Sequence, residues 1–372
     1  MESVDREAHK GKDEYEHGLL GELGGYVAEA RGRYRRPIVC NDYELPIDLF
    51  DRHLYEKGGL VLHMLRTELG DEVFWNGVGA YLKKHAHGIV ETRDLQRALE
   101  AASGRSLERF FEQWVHRPGH PELAVRLEWN DGVLDVEVKQ TQSTTALPAV
   151  AGEALGVPIF SLDLTVDVLE AEDKGGAAAK RHVIKVERAA QSFAIPVAKR
   201  PAGVVLDADL RIVGEINPDI PADWLRFALE NAPTARGRVL AAQALGRRND
   251  LPNAKALKKA LLREEEFWGV RAECASALGE HRTSDAFAAL VLGAKVAHPK
   301  VRRATATAIG RWKTAAAAAA LEPLALADPS YLVQAASARA IGATRQPIAF
   351  DLLVSLLDRP SWADVVRSGA VD

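Results

Sequence analysis

Four decapeptides in the last third of the chain repeat one pattern, and this repetition limits the fold more than any other feature. They run from Gly237 to Gly246, Val270 to Gly279, Val301 to Gly310 and Val333 to Gly342. Each is rich in alanine and closes on Ala-Leu-Gly or Ala-Ile-Gly. The closing glycines fall 33, 31 and 32 residues apart. That spacing suits one helical hairpin, and recurrence at this period is the mark of an α-solenoid, in which each unit buries its apolar face only against its neighbours. The small residues let neighbouring helices approach closely. With Val-Arg at the helix start and Leu/Ile-Gly at its end, the unit resembles the short form of HEAT-type repeats, and we assign it to residues 222–372.

Two other regions precede the repeats. Residues 1–121 read as helical. Leu60, Val61, Met64 and Leu65 recur at helical spacing, and Gly70-Asp71-Glu72 reads as a stop followed by a new start. Val73, Phe74, Val78, Tyr81 and Leu82 then line one face. Thr92 and Asp94 precede Leu95, Leu99 and Ala102, with Gly104 placed as a C-terminal cap. A last helix runs through Leu107, Phe110, Phe111 and Trp114, and Arg117-Pro118-Gly119-His120-Pro121 ends it. From 122 to 215 the period changes to two. Leu123, Val125, Leu127 and Trp129 alternate with polar residues, Asn130-Asp131-Gly132 marks a turn, and Val133 to Val138 gives a second strand. Further strands are expected at 159–169, 182–186, 193–197 and 204–207, forming a small antiparallel β-sandwich. The stretch from Glu172 to Lys180 reads as a mobile hairpin tip. The expected fold class is therefore mainly α with a small β domain.

Composition removes several classes of function. Of 372 residues, 47% are hydrophobic and 27% charged, which is ordinary for a globular protein. The formal charge of −4 gives no electrostatic reason to bind nucleic acid or an anionic membrane, so neither is expected as a partner. The two cysteines, Cys40 and Cys274, fall in different regions and do not form a disulfide framework. The longest apolar tract, Ala315 to Ala327, is interrupted by Glu322 and Pro323 and is too short to span a bilayer. The opening residues carry no basic stretch followed by an apolar core, so a cytoplasmic location is the default expectation. Met1 to Lys10 nevertheless reads as the interior of a polar helix, and Val366 to Ala370 opens a fifth repeat without a polar capping unit. The expectation is an internal fragment of a longer protein.

The chemistry rests on the stretch from His53 to Leu65, which contains Tyr55-Glu56-Lys57-Gly58-Gly59 before an apolar helix. It resembles the tyrosine-bearing helix of the alanyl/leucyl aminopeptidase family of zinc metallopeptidases, the gluzincins of membrane alanine aminopeptidase type. The likeness continues through Leu69-Gly70, Phe74, Tyr81, His85, Thr92, Asp94-Leu95, Gly104, Leu107, Phe110-Phe111, Trp114, Gly119 and Pro121, and covers roughly residues 1–125. The resemblance implies that residues 1–121 are a helical C-terminal part of a peptidase catalytic domain. It implies removal of N-terminal residues from peptides with one zinc ion, and it makes Tyr55 the catalytic phenol that stabilises the oxyanion. The HExxH motif that binds zinc in that family is absent, as is the Glu-bearing helix. No zinc is therefore expected on this chain, no residue is assigned as a metal ligand or cofactor contact, and activity is expected only in a longer parent protein. Taken without the resemblance, Tyr55 would read as a helix-start tyrosine with its ring in the core.

Other candidates weigh less. Glu56 and Lys57 read as exposed first-turn charges. His53 and His63 read as packing or surface residues. His85 and His87 point in different directions on a helix. His116 and His120 are four apart, but Pro118 and Gly119 break the helix between them, and no third ligand accompanies either pair at suitable spacing. The basic stretches Lys255 to Lys259 and Lys300 to Arg303 read as solvated helix faces. The alternative function is a non-catalytic scaffold whose repeat surface binds a protein partner.

Overall fold

A computed structural model describes residues 2–142, 157–172 and 176–372. The tip of the hairpin expected between Glu172 and Lys180 thus lies partly outside the described residues. The chain divides into two compact units, one of Met1–Asp167, Lys180–Pro201 and Leu206–Ile220, the other of Val168–Ala179, Ala202–Val205 and Pro221–Asp372.

Among the described residues the first unit begins with the α-helices α1 (Glu2–Lys10), α2 (Lys12–Gly32), α3 (Glu56–Leu69), α4 (Asp71–Lys84), α5 (Thr92–Ser103) and α6 (Glu108–Trp114). Their ends follow local chemistry. Gly70 adopts φ 81°, which a residue with a Cβ rarely does, and this lets α3 stop and α4 start within one residue. The Asp94 carboxylate accepts from the Glu91 N–H at 2.9 Å and satisfies one orphan donor at the start of α5. Gly104 closes that helix in the left-handed conformation. The buried faces of α2 and α3 carry Tyr15, Leu19, Tyr26, Leu60, Val61, Met64 and Leu65. A histidine locks these helices to a distant segment. His63 Nε2 donates to the Asp209 carbonyl at 2.9 Å, which leaves Nδ1 to accept from the Tyr15 hydroxyl at 2.7 Å.

The strands among the described residues are β1 (Glu122–Asn130), β2 (Val133–Gln140), β3 (Leu162–Ala171), β4 (Ala177–Val186), β5 (Ala190–Pro196), β6 (Gly203–Leu206) and β7 (Glu215–Asp219). They form a four-stranded sheet in the order β5-β2-β1-β7 and a three-stranded sheet in the order β4-β3-β6. In the β1–β2 hairpin, Val125 faces Val138 and Leu127 faces Val136, all buried. Asp131 (φ 43°) and Gly132 (φ 89°) make the tight turn that the sequence signals there. One pairing departs from the antiparallel pattern. β7 runs parallel to β1, with Glu122 beside Glu215. Sequence reading missed this strand because Glu215–Asp219 is short, polar and carries Pro218, which suits only an edge.

The second unit is dominated by helices α7 (Ala222–Asn231), α8 (Ala235–Gly246), α9 (Leu251–Leu262), α10 (Trp268–His281), α11 (Ser284–Gly293), α12 (Pro299–Ile309), α13 (Ala315–Ala327), α14 (Tyr331–Thr344), α15 (Pro347–Leu356) and α16 (Val365–Val371). The four repeated decapeptides lie on α8, α10, α12 and α14. Thr234, Thr283 and Thr314 cap α8, α11 and α13 by accepting from the N–H three residues on. The repeat has a simple packing rule. A Cβ placed on Gly246 would lie 2.9 Å from the Ala277 methyl, one on Gly279 would lie 3.1 Å from that of Ala308, and one on Gly310 would lie 2.8 Å from that of Ala340. Each closing glycine therefore receives the alanine two residues before the next closing glycine. Among the described residues, no helix is long and apolar enough to cross a membrane.

This rule separates two otherwise similar substitutions. Gly310→Val forces α12 from α14 and is expected to cost about 1–3 kcal/mol, as overpacking a close contact does. Gly342→Ala meets only the flexible end of Leu353 at 3.5 Å and is expected to leave thermal unfolding nearly unchanged. Equal melting temperatures for the two variants would refute the rule.

Candidate functional site

Tyr55 sits at the entry to α3, and the turn before it is held by Asp51. The Asp51 Oδ1 accepts from the His53 and Leu54 N–H groups, each at 3.0 Å. The same carboxylate takes the Arg36 guanidinium at 2.6 and 2.8 Å and the Tyr34 hydroxyl at 2.6 Å. Burial disfavours the charged form of Asp51, but these donors outweigh it and hold the carboxyl below its usual range. Tyr55 itself is 59% exposed, with the Phe50 ring 6.0 Å away. Tyr43, Leu45, Ile47, Phe50 and Leu54 in the preceding segment are also exposed. The phenol is therefore exposed beside Phe50 and is not a core tyrosine.

Its neighbours two residues either side do the opposite. His53 and Lys57 are both fully buried. Residues two apart on a helix project about 200° apart, so seating Lys57 inward turns Tyr55 outward. The burial of Lys57 corrects the sequence reading of an exposed first-turn charge. A polar residue at a helix start looks solvated when the side chain that covers it is remote in sequence, and here that side chain is Tyr26. Lys57 Nζ lies 5.7 Å from the Tyr26 ring centroid. It has no hydrogen-bond partner among the described residues. The Tyr26 hydroxyl donates to the Gly119 carbonyl at 3.1 Å, with His120 Nδ1 at 3.2 Å. The His53 and His120 rings meet the Tyr26 ring edge-on, each at 5.3 Å. Burial is the main force on every titratable group in this cluster. It pushes the Tyr26 phenol up, the Lys57 amine down to about 7 and His53 down to about 4, and it lowers His120 against the opposing pull of Glu215.

The structure also brings together a third-ligand arrangement that sequence spacing did not reveal. One ligand atom each of His120, Glu122 and Glu215 lie within 4.8 Å of one another. The parallel register of β1 and β7 creates the group by placing the two glutamates side by side. These residues do not fit a catalytic zinc centre, which needs three ligands and an open coordination position. Arg31 engages Glu215 at 2.5 Å and Arg35 engages Glu122 at 3.4 Å, so arginines already offset both carboxylates. His120 Nε2 lies 3.3 Å from Glu215, and the ring is sealed from solvent. Among the described residues the remaining histidines converge on no such group: His85 lies 4.0 Å from Asp94 and against Tyr81. The basic stretch from Lys300 to Arg303 is less solvated than its composition implies. Lys300 Nζ stands 3.8 Å over the Trp268 ring, and Arg302 pairs with buried Asp328 at 2.7 Å. Lys255, Lys258 and Lys259 are exposed as expected.

Comparison with known proteins fits this geometry. Residues 8–114 match the peptidase family M1 domain. Residues 290–372 match HEAT repeats. Aminopeptidase N of Lactococcus lactis subsp. lactis is 42% identical over 93 residues, which cover 25% of this chain and 11% of that protein. Aminopeptidase M1 of Arabidopsis thaliana is 38% identical over 90 residues, 24% of this chain and 10% of that protein. The crystal structure of Legionella pneumophila aminopeptidase A in complex with aspartic acid superposes with a TM-score of 0.69 at 15% identity, over 99% of this chain and 47% of that one. At that identity the superposition speaks for the fold. The M1 region thus has aminopeptidases as homologues, and the chain spans less than half of the solved structure it resembles.

The buried lysine gives this M1 region a defined pH response. With the Lys57 amine near 7 when folded and 10.5 when unfolded, the unfolded chain binds the extra proton between those values. Stability from this group therefore rises as pH rises from 7 to 10.5, and the full penalty applies below 7. Lys57→Met, similar in length and uncharged, is expected to stabilise the chain by on the order of 5 kcal/mol below pH 7. The gain should fade to nothing near pH 10.5, as read by denaturant unfolding across that range. A gain independent of pH, or a loss at every pH, would contradict the buried neutral amine.

Proposed function

We propose that this chain is the tyrosine-bearing portion of a zinc aminopeptidase. In the whole protein, which removes N-terminal residues from peptides, the Tyr55 hydroxyl donates a hydrogen bond to the oxyanion that forms when the scissile carbonyl is attacked. What carries the reading is the exposure of Tyr55 within the region that matches the M1 domain: it is 59% exposed, while His53 and Lys57, two residues to either side, are fully buried. A donor fixed by a rigid helix before the reaction begins stabilises developing charge without reorganisation. The anchoring is stiff here, since Asp51 holds the turn and Lys57 and His53 are packed beneath it.

In metallopeptidases zinc supplies an activated water at neutral pH. The sequence contains no HExxH motif to hold it, Glu122 and Glu215 are engaged by arginines, and His120 faces Glu215. On this reading, residues beyond this sequence provide the metal and the general base. The contribution of this chain is the phenol and the wall around it. The HEAT repeats offer a second surface, suited to a protein partner, with Phe350 and Trp362 exposed.

Tyr55→Phe in the complete protein separates these roles. Loss of one oxyanion donor typically costs about 3 kcal/mol, so turnover should fall by two to three orders of magnitude while zinc content stays intact. Turnover close to that of the unsubstituted protein would remove Tyr55 from the chemistry and leave the repeat surface as the functional one.

A further inference from the structure

A cavity of about 340 Å³ opens in the first unit, away from Tyr55 at the other end of α3. Met64, Thr67 and Glu68 of α3 form one side, and Arg105 to Leu107 with α6 form another. Ser161 to Asp163, Lys185 and Arg211 complete it. The size is at the lower end for small-molecule sites.

Its lining has two parts. Leu107, Trp114, Met64 and Leu162 are buried and make an apolar floor. Four cations, Arg105, Arg109, Lys185 and Arg211, stand around it against two acids, Glu68 and Asp163. Gln113 is not free to serve a ligand, because its amide donates to the Ser161 carbonyl at 3.0 Å and accepts from the Ser161 N–H at 2.7 Å. The cations differ in their commitment. Arg105 is held by Glu68 at 2.6 Å and Lys185 by Glu187 at 3.1 Å. Arg109 and Arg211 have only loose carboxylate neighbours, each at 3.9 Å. The carboxylate near Arg211 belongs to Asp209, which already takes Arg181. The buried Arg211 Nε has no hydrogen-bond partner among the described residues. A planar guanidinium with unfilled donors beside an aromatic floor is a fit for a carboxylate carried on an apolar body.

We propose that this cavity binds a small organic carboxylate, with the acid on Arg211 and Arg109 and the apolar body on Trp114 and Leu107. The group has two possible sources, a free carboxylic acid or the C-terminal carboxylate of a peptide. The proposal stands on residues other than Tyr55 and does not depend on the aminopeptidase reading.

Calorimetric titration of the chain of residues 1–372 tests it. The probes are 3-phenylpropionate, its neutral amide 3-phenylpropanamide, and the tripeptide Ala-Ala-Phe as free acid and as C-terminal amide. Saturable 1:1 binding of 3-phenylpropionate is expected with Kd roughly 0.1–1 mM, and at least about tenfold weaker binding of the amide. Arg211→Gln and the exposed Arg109→Gln should each weaken the acid by about tenfold or more, with unchanged circular dichroism. Tighter binding of the tripeptide acid than of 3-phenylpropionate, lost in its amide, would identify a peptide C-terminus as the source. Binding of 3-phenylpropionate with no gain from the tripeptide would identify a free acid. No saturation by either acid up to about 10 mM, or equal affinity for acid and amide, overturns the proposal. So does full affinity in both folded variants.

Discussion

One buried phenol holds the first unit together where it matters. Tyr26 is fully enclosed, and a tyrosine hydroxyl in a dry core must find a partner or cost the fold a desolvated donor. It finds Gly119 and His120 across 93 and 94 residues of chain. Its ring supports His53 and lies below Lys57. A single side chain of α2 thereby ties the start of α3 to the junction that leads into β1. The outward presentation of Tyr55 follows from this constraint, because the residues on either side of it are the ones packed onto Tyr26 or its neighbours.

The same enclosure explains why the cluster is electrically unusual. Burial, and after it the Arg36 charge, opposes charging of Lys57. Asp51 and Glu215 supply the negative charge at the edges, where arginines engage them. Function and stability pull in opposite directions here. An amine without a partner costs stability, yet its inward seating fixes the helix phase that exposes the phenol.

Much of the architecture was legible in the sequence because it depends on local signals. The solenoid announced itself through closing glycines, and their role is now specific: Gly246, Gly279 and Gly310 each admit one alanine of the next unit. The caps at Gly70, Asp94 and Gly104 were readable because caps act within one turn. Tyr55 is singled out only by the resemblance that its helix carries, and its exposure was not readable, since that depends on Lys57 meeting Tyr26. The His120–Glu122–Glu215 group was unreadable for a similar reason. It exists only through the parallel pairing of β1 with a five-residue edge strand whose composition gives no strand signal. Arg211 and Trp114 were likewise brought to one cavity by tertiary packing alone.

As proposed, Tyr55 supplies the phenol of an aminopeptidase site whose metal is held by residues outside this sequence. The most direct test is the zinc content of the purified chain of residues 1–372 after exhaustive dialysis, with hydrolysis of aminoacyl anilides followed on the same sample. The account predicts well below one zinc per chain and no hydrolysis. One tightly held zinc per chain would contradict it and would direct attention to His120, Glu122 and Glu215.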